Sequence, residues 1–277
     1  MPALSDSLAE PTRRPYRPSA LIAGSVVLHL AAVGGVLVRP PLWPWALAAV
    51  VVDHLGVTAA GLWPRARLLG PNLRSLPPGA AARGEVAITI DDGPDPEVTP
   101  AVLALLDRHE ARASFFCVGE RIARFPQLAR EIVARGHSIE NHSQHHLHRF
   151  SILGPRGMHA EILAAQESIA FATGAPPRFF RAPAGLRNPF LEPALARTGL
   201  TLVSWTRRGF DTVSKSPAQV LARLTRGLKA GDILLLHDGH AGRSAGGTPV
   251  ILDVLPPLLA AVRAAGLKPV TLRAACA

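Results

Sequence analysis

Cysteine is nearly missing from this chain of 277 residues: there are two, Cys117 and Cys276. Two such residues build neither a disulfide framework nor a cysteine-ligated zinc site. Cys117 sits in the apolar run Phe115-Phe116-Cys117-Val118 and reads as a buried thiol. Tyrosine occurs once and tryptophan four times, and from Glu85 onward there is one tryptophan, Trp205, and no tyrosine. Flat aromatic faces on which a ligand ring could stack are therefore few. The formal net charge is +10, mostly arginine, but there is no long basic run and no nucleic-acid motif. That balance fits a solvated surface beside a membrane, not a nucleic-acid partner. No convincing A-x-A site follows a short apolar core, which argues against a cleaved signal peptide. No protein partner is indicated.

Long apolar runs, by contrast, are present twice. Ala20–Val38 contains no Lys, Arg, Asp or Glu, and Trp45–Trp63 contains only Asp53. Each has the ~20 residues needed to span a bilayer. The short connector Arg39-Pro40-Pro41-Leu42-Trp43-Pro44 predicts an antiparallel transmembrane hairpin over residues 20–63. One span plus a re-entrant or surface helix is the alternative. Trp43, Trp45 and Trp63 fall where interfacial aromatics belong. His29, Asp53 and His54 share one depth near the middle. Polar groups there pair with one another or line a site, so the choice is an interhelical hydrogen bond or a contact with a lipid-linked ligand. Arg13, Arg14 and Arg17 precede the first run, and Arg65, Arg67, Arg74 and Arg83 follow the second, against Arg39 in the connector. The positive-inside rule then places the basic tail, residues 1–19, and the large C-terminal part in the cytoplasm.

Residues 64–84 are rich in Pro, Gly and Arg and read as a linker to a domain over residues 85–277. In that domain apolar runs alternate with helical patterns. The strand-like runs are Val86–Ile90, Ala113–Val118, His137–Glu140, Phe179–Ala182, Leu200–Trp205, Ile233–His237 and Pro269–Leu272. Helix patterns cover Pro100–His109, Glu120–Arg135, Pro155–Thr173, Ser216–Leu228 and Val250–Ala265. Strands and helices in alternation argue for a parallel α/β fold. A small seven-stranded barrel and an open doubly wound sheet both satisfy the pattern, and both put ligands at the carboxyl ends of the strands.

Polar residues collect at those ends. The first strand closes with Asp91-Asp92 before the turn Gly93-Pro94. An isolated Asp-Asp-Gly is usually a plain polar turn; here His142 follows strand three, Arg181 strand four, and His237 ends strand six. Asn141-His142-Ser143-Gln144-His145-His146-Leu147-His148 carries four histidines. His142 and His146 are four apart, so in a helical turn they share one face and could grip one cation. With one carboxylate from strand one they make a His-His-Asp set that leaves a metal open to substrate, which suits zinc or another divalent transition ion. The other carboxylate is then free to act as a base, oriented by Arg181. His237 is either a satisfied core histidine or, at a strand mouth, a general acid. Arg207-Arg208, after Trp205, is either a solvated pair or a site for a phosphate.

These pieces resemble the polysaccharide deacetylases, the metal-dependent carbohydrate esterases of family four. Thr89-Ile90-Asp91-Asp92-Gly93-Pro94, His142-Ser143-Gln144-His145-His146, Arg181-Ala182-Pro183-Ala184-Gly185, Asp211 and Leu235-Leu236-His237 follow the family's motifs in order over residues 85–272. The resemblance implies a distorted (β/α) barrel of seven strands behind the hairpin. It implies Asp91 as catalytic base, and Asp92, His142 and His146 as ligands of a divalent metal, with zinc expected. It further implies Arg181 tuning Asp91, Asp211 holding Arg181, and His237 protonating the leaving amine. Thr212 stands where the family usually has Trp, and Ala184 where many members have Tyr. With aromatic platforms scarce, the expected activity is metal-dependent N-deacetylation of an N-acylated sugar, either a polysaccharide or a lipid-linked glycan. A deformylase or other amide hydrolase of a small lipid-linked sugar, and a non-catalytic metal- or glycan-binding module, are the alternatives.

Overall fold

A computed structural model describes residues 13–277. Residues 1–12 of the expected basic tail lie outside the described part. Two helices come first, α1 (Ala20–Val38) and α2 (Trp43–Leu62), both long and apolar enough to cross a membrane. No residue of α1 is buried, but Ile22, Ser25, Leu28, His29, Ala32 and Val36 form a half-buried stripe, with most of the rest of its apolar surface exposed. The polar centre expected between the two helices is there. Ser25 Oγ donates to Asp53 Oδ2 at 2.6 Å, and the His29 and His54 rings meet edge to face at 5.1 Å. The interhelical hydrogen bond is thus the reading of this centre that the side chains support.

Beyond the helices runs a parallel sheet. In chain order the elements are α3 (Pro78–Ala82), β1 (Glu85–Asp91), α4 (Thr99–Arg108), β2 (Ala113–Cys117), α5 (Gly119–Arg124), α6 (Pro126–Ala134), β3 (Ser138–Asn141), α7 (Pro155–Thr173), β4 (Phe179–Phe180), α8 (Leu191–Thr198), β5 (Thr201–Leu202), β6 (Arg207–Arg208), α9 (Pro217–Thr225), β7 (Ile233–His237), α10 (Val250–Ala264), β8 (Lys268–Pro269) and α11 (Leu272–Ala275). The sheet order is β5-β4-β3-β2-β1-β7-β6, with β8 paired to the start of β1. The strands curl into an open half-barrel, because the two edges, β5 and β6, are not hydrogen-bonded to each other.

Side-chain alternation sorts the core. Val86, Ile88 and Ile90 of β1 and Leu234 and Leu236 of β7 pack outward against the helices. Ala87, Ile233 and Leu235 point into the barrel with Phe116, Phe179 and Trp205. This period of two also carries Thr89 and Asp91 to the inner face.

Several expectations need correcting. The pattern over Glu120–Arg135 is two helices, broken at Phe125 (φ −127°, ψ 56°) because Pro126 disfavours helical geometry in the residue before it. The run Leu200–Trp205 yields only Thr201–Leu202, and a separate short strand follows at Arg207–Arg208. The run Pro269–Leu272 stops at Pro269, where Thr271 caps α11 by accepting from the Ala274 N–H at 3.1 Å. Residues 64–84 are not a free linker. The Leu73 N–H donates to Leu202 O at 2.9 Å, the Ser204 N–H donates back to Leu73 O at 2.9 Å, and the Leu76 N–H donates to Gly231 O at 2.8 Å. Leu76 and Ala80 are buried in the barrel interior. This stretch therefore stitches β5 to the entry of β7 across the open side. Leucines spaced among prolines gave no period from which that burial could be read.

Candidate active site

The strand register builds the mouth. Asp91 lies opposite His237 on β7 and opposite Phe116 on β2, all at the carboxyl ends. Arg181 follows β4 and reaches back across the interior. Its Nη1 donates to Asp91 Oδ1 at 2.5 Å and to Thr89 Oγ1 at 2.9 Å, and its Nη2 donates to Ser204 O at 3.0 Å. The guanidinium also sits 4.1 Å over the Phe116 ring. It is 1% exposed, so the Asp91 partner decides whether the charge is tolerated there. Burial pulls the Arg181 pKa below its ordinary value, against the opposing pull of Asp91.

Asp92, His142 and His146 converge beside that pair. Asp92 Oδ1 lies 3.2 Å from Nε2 of each histidine. His142 Nδ1 donates to the Arg181 carbonyl at 2.8 Å, which leaves its Nε2 with a lone pair aimed at Asp92. Asp92 Oδ1 is buried and has no hydrogen-bond partner. Three electron-pair donors facing one another with an orphaned carboxylate oxygen among them fit a bound cation, and imidazole plus carboxylate fit a divalent transition ion. Burial alone would raise the Asp92 pKa; the neighbouring His142, His146 and His240 outweigh it and hold the carboxyl well below the usual range.

The histidine loop reaches this geometry without the expected helical turn. Residues 142–149 are irregular, with Ser143 at φ 66° and His146 at φ 48°. Asn141 Oδ1 accepts from the Ser143 N–H at 2.9 Å and Ser143 Oγ from the His146 N–H at 3.1 Å, so two local side-chain turns set the loop. His145 is drawn aside by Glu161, at 2.7 Å.

Asp211 is the second correction. It does not hold Arg181. Its Oδ1 is 2.9 Å from His237 Nδ1 and its Oδ2 accepts the His237 backbone N–H at 2.7 Å. The loop after β6 lies against the end of β7, while Arg181 takes its other contacts from the carbonyls of Val203 and Ser204. Burial pushes the His237 pKa down, but the hydrogen bond and charge of Asp211 outweigh it, and the net direction is up.

Two residues were not singled out from the sequence. His240 Nδ1 lies 3.5 Å from Asp92 Oδ2, on the turn three residues past His237. Its place just beyond a strand mouth was the available signal. Asp238 is buried behind Gly93 and accepts from Thr99 Oγ1 at 2.5 Å; burial pushes its pKa up to about 7.

Asp91, Asp92, His142, His146, His237 and His240 open on one cavity of about 750 Å³, lined also by Ala184, Gly185, Trp205, Arg208 and Thr212. Asp92, His146, Ala184 and His240 line it with positive φ, uncommon for residues with a side chain. Backbone strain of this kind gathers at functional sites. The rim also meets the N-terminal helices. A Cβ on Gly185 would lie 2.7 Å from Pro64, two residues past the end of α2, and 2.7 Å from the Trp205 ring. The Arg187 N–H donates to Gly61 O of α2 at 3.2 Å.

A family model described as polysaccharide deacetylase matches residues 79–203. A chitooligosaccharide deacetylase of Bradyrhizobium sp. (strain ANU 289) is 36% identical over 156 residues, 56% of this chain and 71% of the relative. A peptidoglycan-N-acetylglucosamine deacetylase of Bacillus cereus is 34% identical over 175 residues, 62% of this chain and 81% of the relative. Among solved structures, the Bc1960 peptidoglycan N-acetylglucosamine deacetylase superposes with a TM-score of 0.66 at 26% identity, over 74% of this chain and 92% of that one. A family 4 carbohydrate esterase from Streptomyces lividans, in complex with acetate, has a TM-score of 0.61 at 33% identity, over 67% of this chain and 91% of that one.

Proposed function

We propose, for a chain that belongs to the polysaccharide deacetylase family, that it removes the acetyl group from N-acetylglucosamine units of a glycan. It is a hydrolase of amide bonds. The observation that carries the reading is the pairing of Asp91 with Arg181 directly beside the converging Asp92, His142 and His146. The proposed division is a hairpin over residues 20–63 and a catalytic domain from residue 85, with residues 64–84 sewn into its barrel.

The residues divide the work. When bound at Asp92, His142 and His146, a divalent metal, with zinc favoured by the donor set, supplies Lewis acidity. Asp91 takes a proton from the attacking water, and Arg181 holds its carboxylate aimed. The Ala184 backbone N–H, at the cavity wall, donates to the oxygen that gains charge. His237 gives its proton to the nitrogen as the carbon–nitrogen bond breaks, releasing acetate and a free amine. Asp211 at Nδ1 orients the ring and favours its protonated form.

The last role gives a signed pH prediction. A raised His237 pKa keeps the acid form populated to higher pH. Asp211→Asn removes the charge that raises it and leaves the burial that lowers it. The alkaline limb of the kcat profile should therefore move to lower pH, with a larger fractional loss at pH 8 than at pH 6. A profile that only drops, with both limbs in place, would remove Asp211 from this role.

A lipid-linked glycan is the finer reading, favoured by the packing of Pro64 at the Gly185 rim. If the two helices span a bilayer, the mouth opens beside it. The arginines flanking the hairpin support a cytoplasmic catalytic domain. The test has two parts. Acetate release by the full chain in detergent is measured on chitooligosaccharide, on peptidoglycan fragments and on a polyprenyl-linked N-acetylated sugar. Paired reporters fused after Ala277, one active only inside the cell and one only outside, give the side. Release with an inside signal supports the finer reading; an outside signal returns exported polymer to the lead. No acetate from any substrate would leave hydrolysis of a different acyl group, or a non-catalytic binding module.

A further inference from the structure

The two adjacent arginines of β6 have separate fates. The register sets Arg207 beside Leu234, which faces the outer helices, and Arg208 beside Leu235, which faces the barrel interior. Arg207 is spent on structure. Its Nε donates to Asp232 at 2.5 Å, and its two terminal nitrogens bond the Arg226 and Gly227 carbonyls. Arg208 instead lines the catalytic cavity.

Among the described residues no carboxylate pairs with Arg208 there, and the neighbouring charge, Arg181, has the same sign. Among those residues Arg208 takes part in no ion pair and no side-chain hydrogen bond, and its Nε is buried without a partner. The other arginine of the cavity wall, Arg121, is paired with Asp95 at 3.4 Å, and Arg181 below is paired with Asp91. What holds Arg208 is stacking: its guanidinium lies 5.3 Å from the Trp205 ring centre and 4.9 Å from that of Phe210. Stacking occupies the face of a guanidinium and leaves its N–H edge free. The side chain is thus positioned while its donors stay uncommitted. A half-buried cation with open donors is unfavourable until an anion arrives, and a planar fork of donors matches the oxygens of a phosphate or carboxylate. Arg181 lies 5.9 Å from the same Trp205 ring, on whose other contacts the catalytic Asp91 depends. The anion would therefore sit in the same mouth as the acyl group to be removed.

We infer that Arg208 is an anion subsite, and that the preferred substrate carries a phosphate or carboxylate close to its acylated amine. This rests on the deacetylase reading and narrows it to acidic N-acylated sugars.

The test compares the full chain with Arg208→Gln and Arg208→Lys. Three substrates are used: neutral N,N′-diacetylchitobiose, N-acetylglucosamine 1-phosphate and N-acetylmuramic acid. The ratio of kcat/KM, charged over neutral, should fall roughly 10- to 100-fold in Arg208→Gln, and less in Arg208→Lys. The charged sugar that shows the larger fall identifies phosphate or carboxylate as the source. Calorimetric titration with glucose 1-phosphate, which has no amide to hydrolyse, reads the subsite without turnover, and Kd should weaken by a similar factor. A ratio that stays constant while both rates fall, or an unchanged Kd, would overturn the subsite. If wild type hydrolyses none of the three, the deacetylase reading fails, and the titration alone decides whether Arg208 binds the anion.

Discussion

Asp91→Asn is expected to lower kcat roughly 10²- to 10⁴-fold, the range that a general base contributes, while leaving the metal content of the chain unchanged. The two halves of this result come from different oxygens. Asp91 is engaged by Arg181 and Thr89 lies beneath it, whereas the orphaned oxygen among the histidines belongs to Asp92. Asparagine keeps the shape and can still meet Arg181 through its carbonyl oxygen. It cannot take a proton from water. The measurement pairs acetate release with metal analysis of the same purified sample. Turnover equal to wild type would sink the assignment of the base. Loss of metal together with turnover would show that both carboxylates serve the cation.

His142→Ala should separate the other way, losing metal and turnover together. His142 is 2% exposed, and its ring is fixed by the bond from Nδ1 to the Arg181 carbonyl. Removing the imidazole takes away one of the three donors and leaves Asp92 and His146 of the set. Losing only an outer hydrogen-bonding partner costs a metal site about 10- to 100-fold in affinity or activity, so losing a direct donor should cost more. Zinc retained after dialysis should approach zero per chain, and added zinc should restore little activity. In wild type, treatment with a chelator should abolish activity and added zinc should return it. Full activity in His142→Ala after chelation would exclude this set as the metal site.

The parts legible in the sequence share one physical cause: a regular period or an apolar length. Val86–Ile90 alternates and Ile233–Leu236 is one unbroken apolar run, so their ends, and the Asp91, Asp92 and His237 placed there, can be read directly. The uninterrupted run of α1 gave its bounds for the same reason. What stayed hidden depends on contacts between distant residues. β6 is two arginines long and has no apolar period, and only its pairing with β7 makes it a strand. Whether Asp211 turns to Arg181 or to His237 is settled by which loop lies against which strand end. A spacing of four would bring His142 and His146 together in a helical turn, yet Asn141 and Ser143 bend the chain locally and bring the two rings together by another path.

A chain that is sewn into a barrel cannot serve as a leash. Leu73 and Leu76 fasten the segment after α2 to β5 and to the entry of β7, and Arg187 and Pro64 fasten its start to the rim. The distance from the end of α2 to the catalytic mouth is thereby set by hydrogen bonds and close contacts, not by the slack of some twenty residues. With its helices in a bilayer, the protein would work at one height and sweep laterally, so that reach, as much as chemistry, selects which acylated amines it meets.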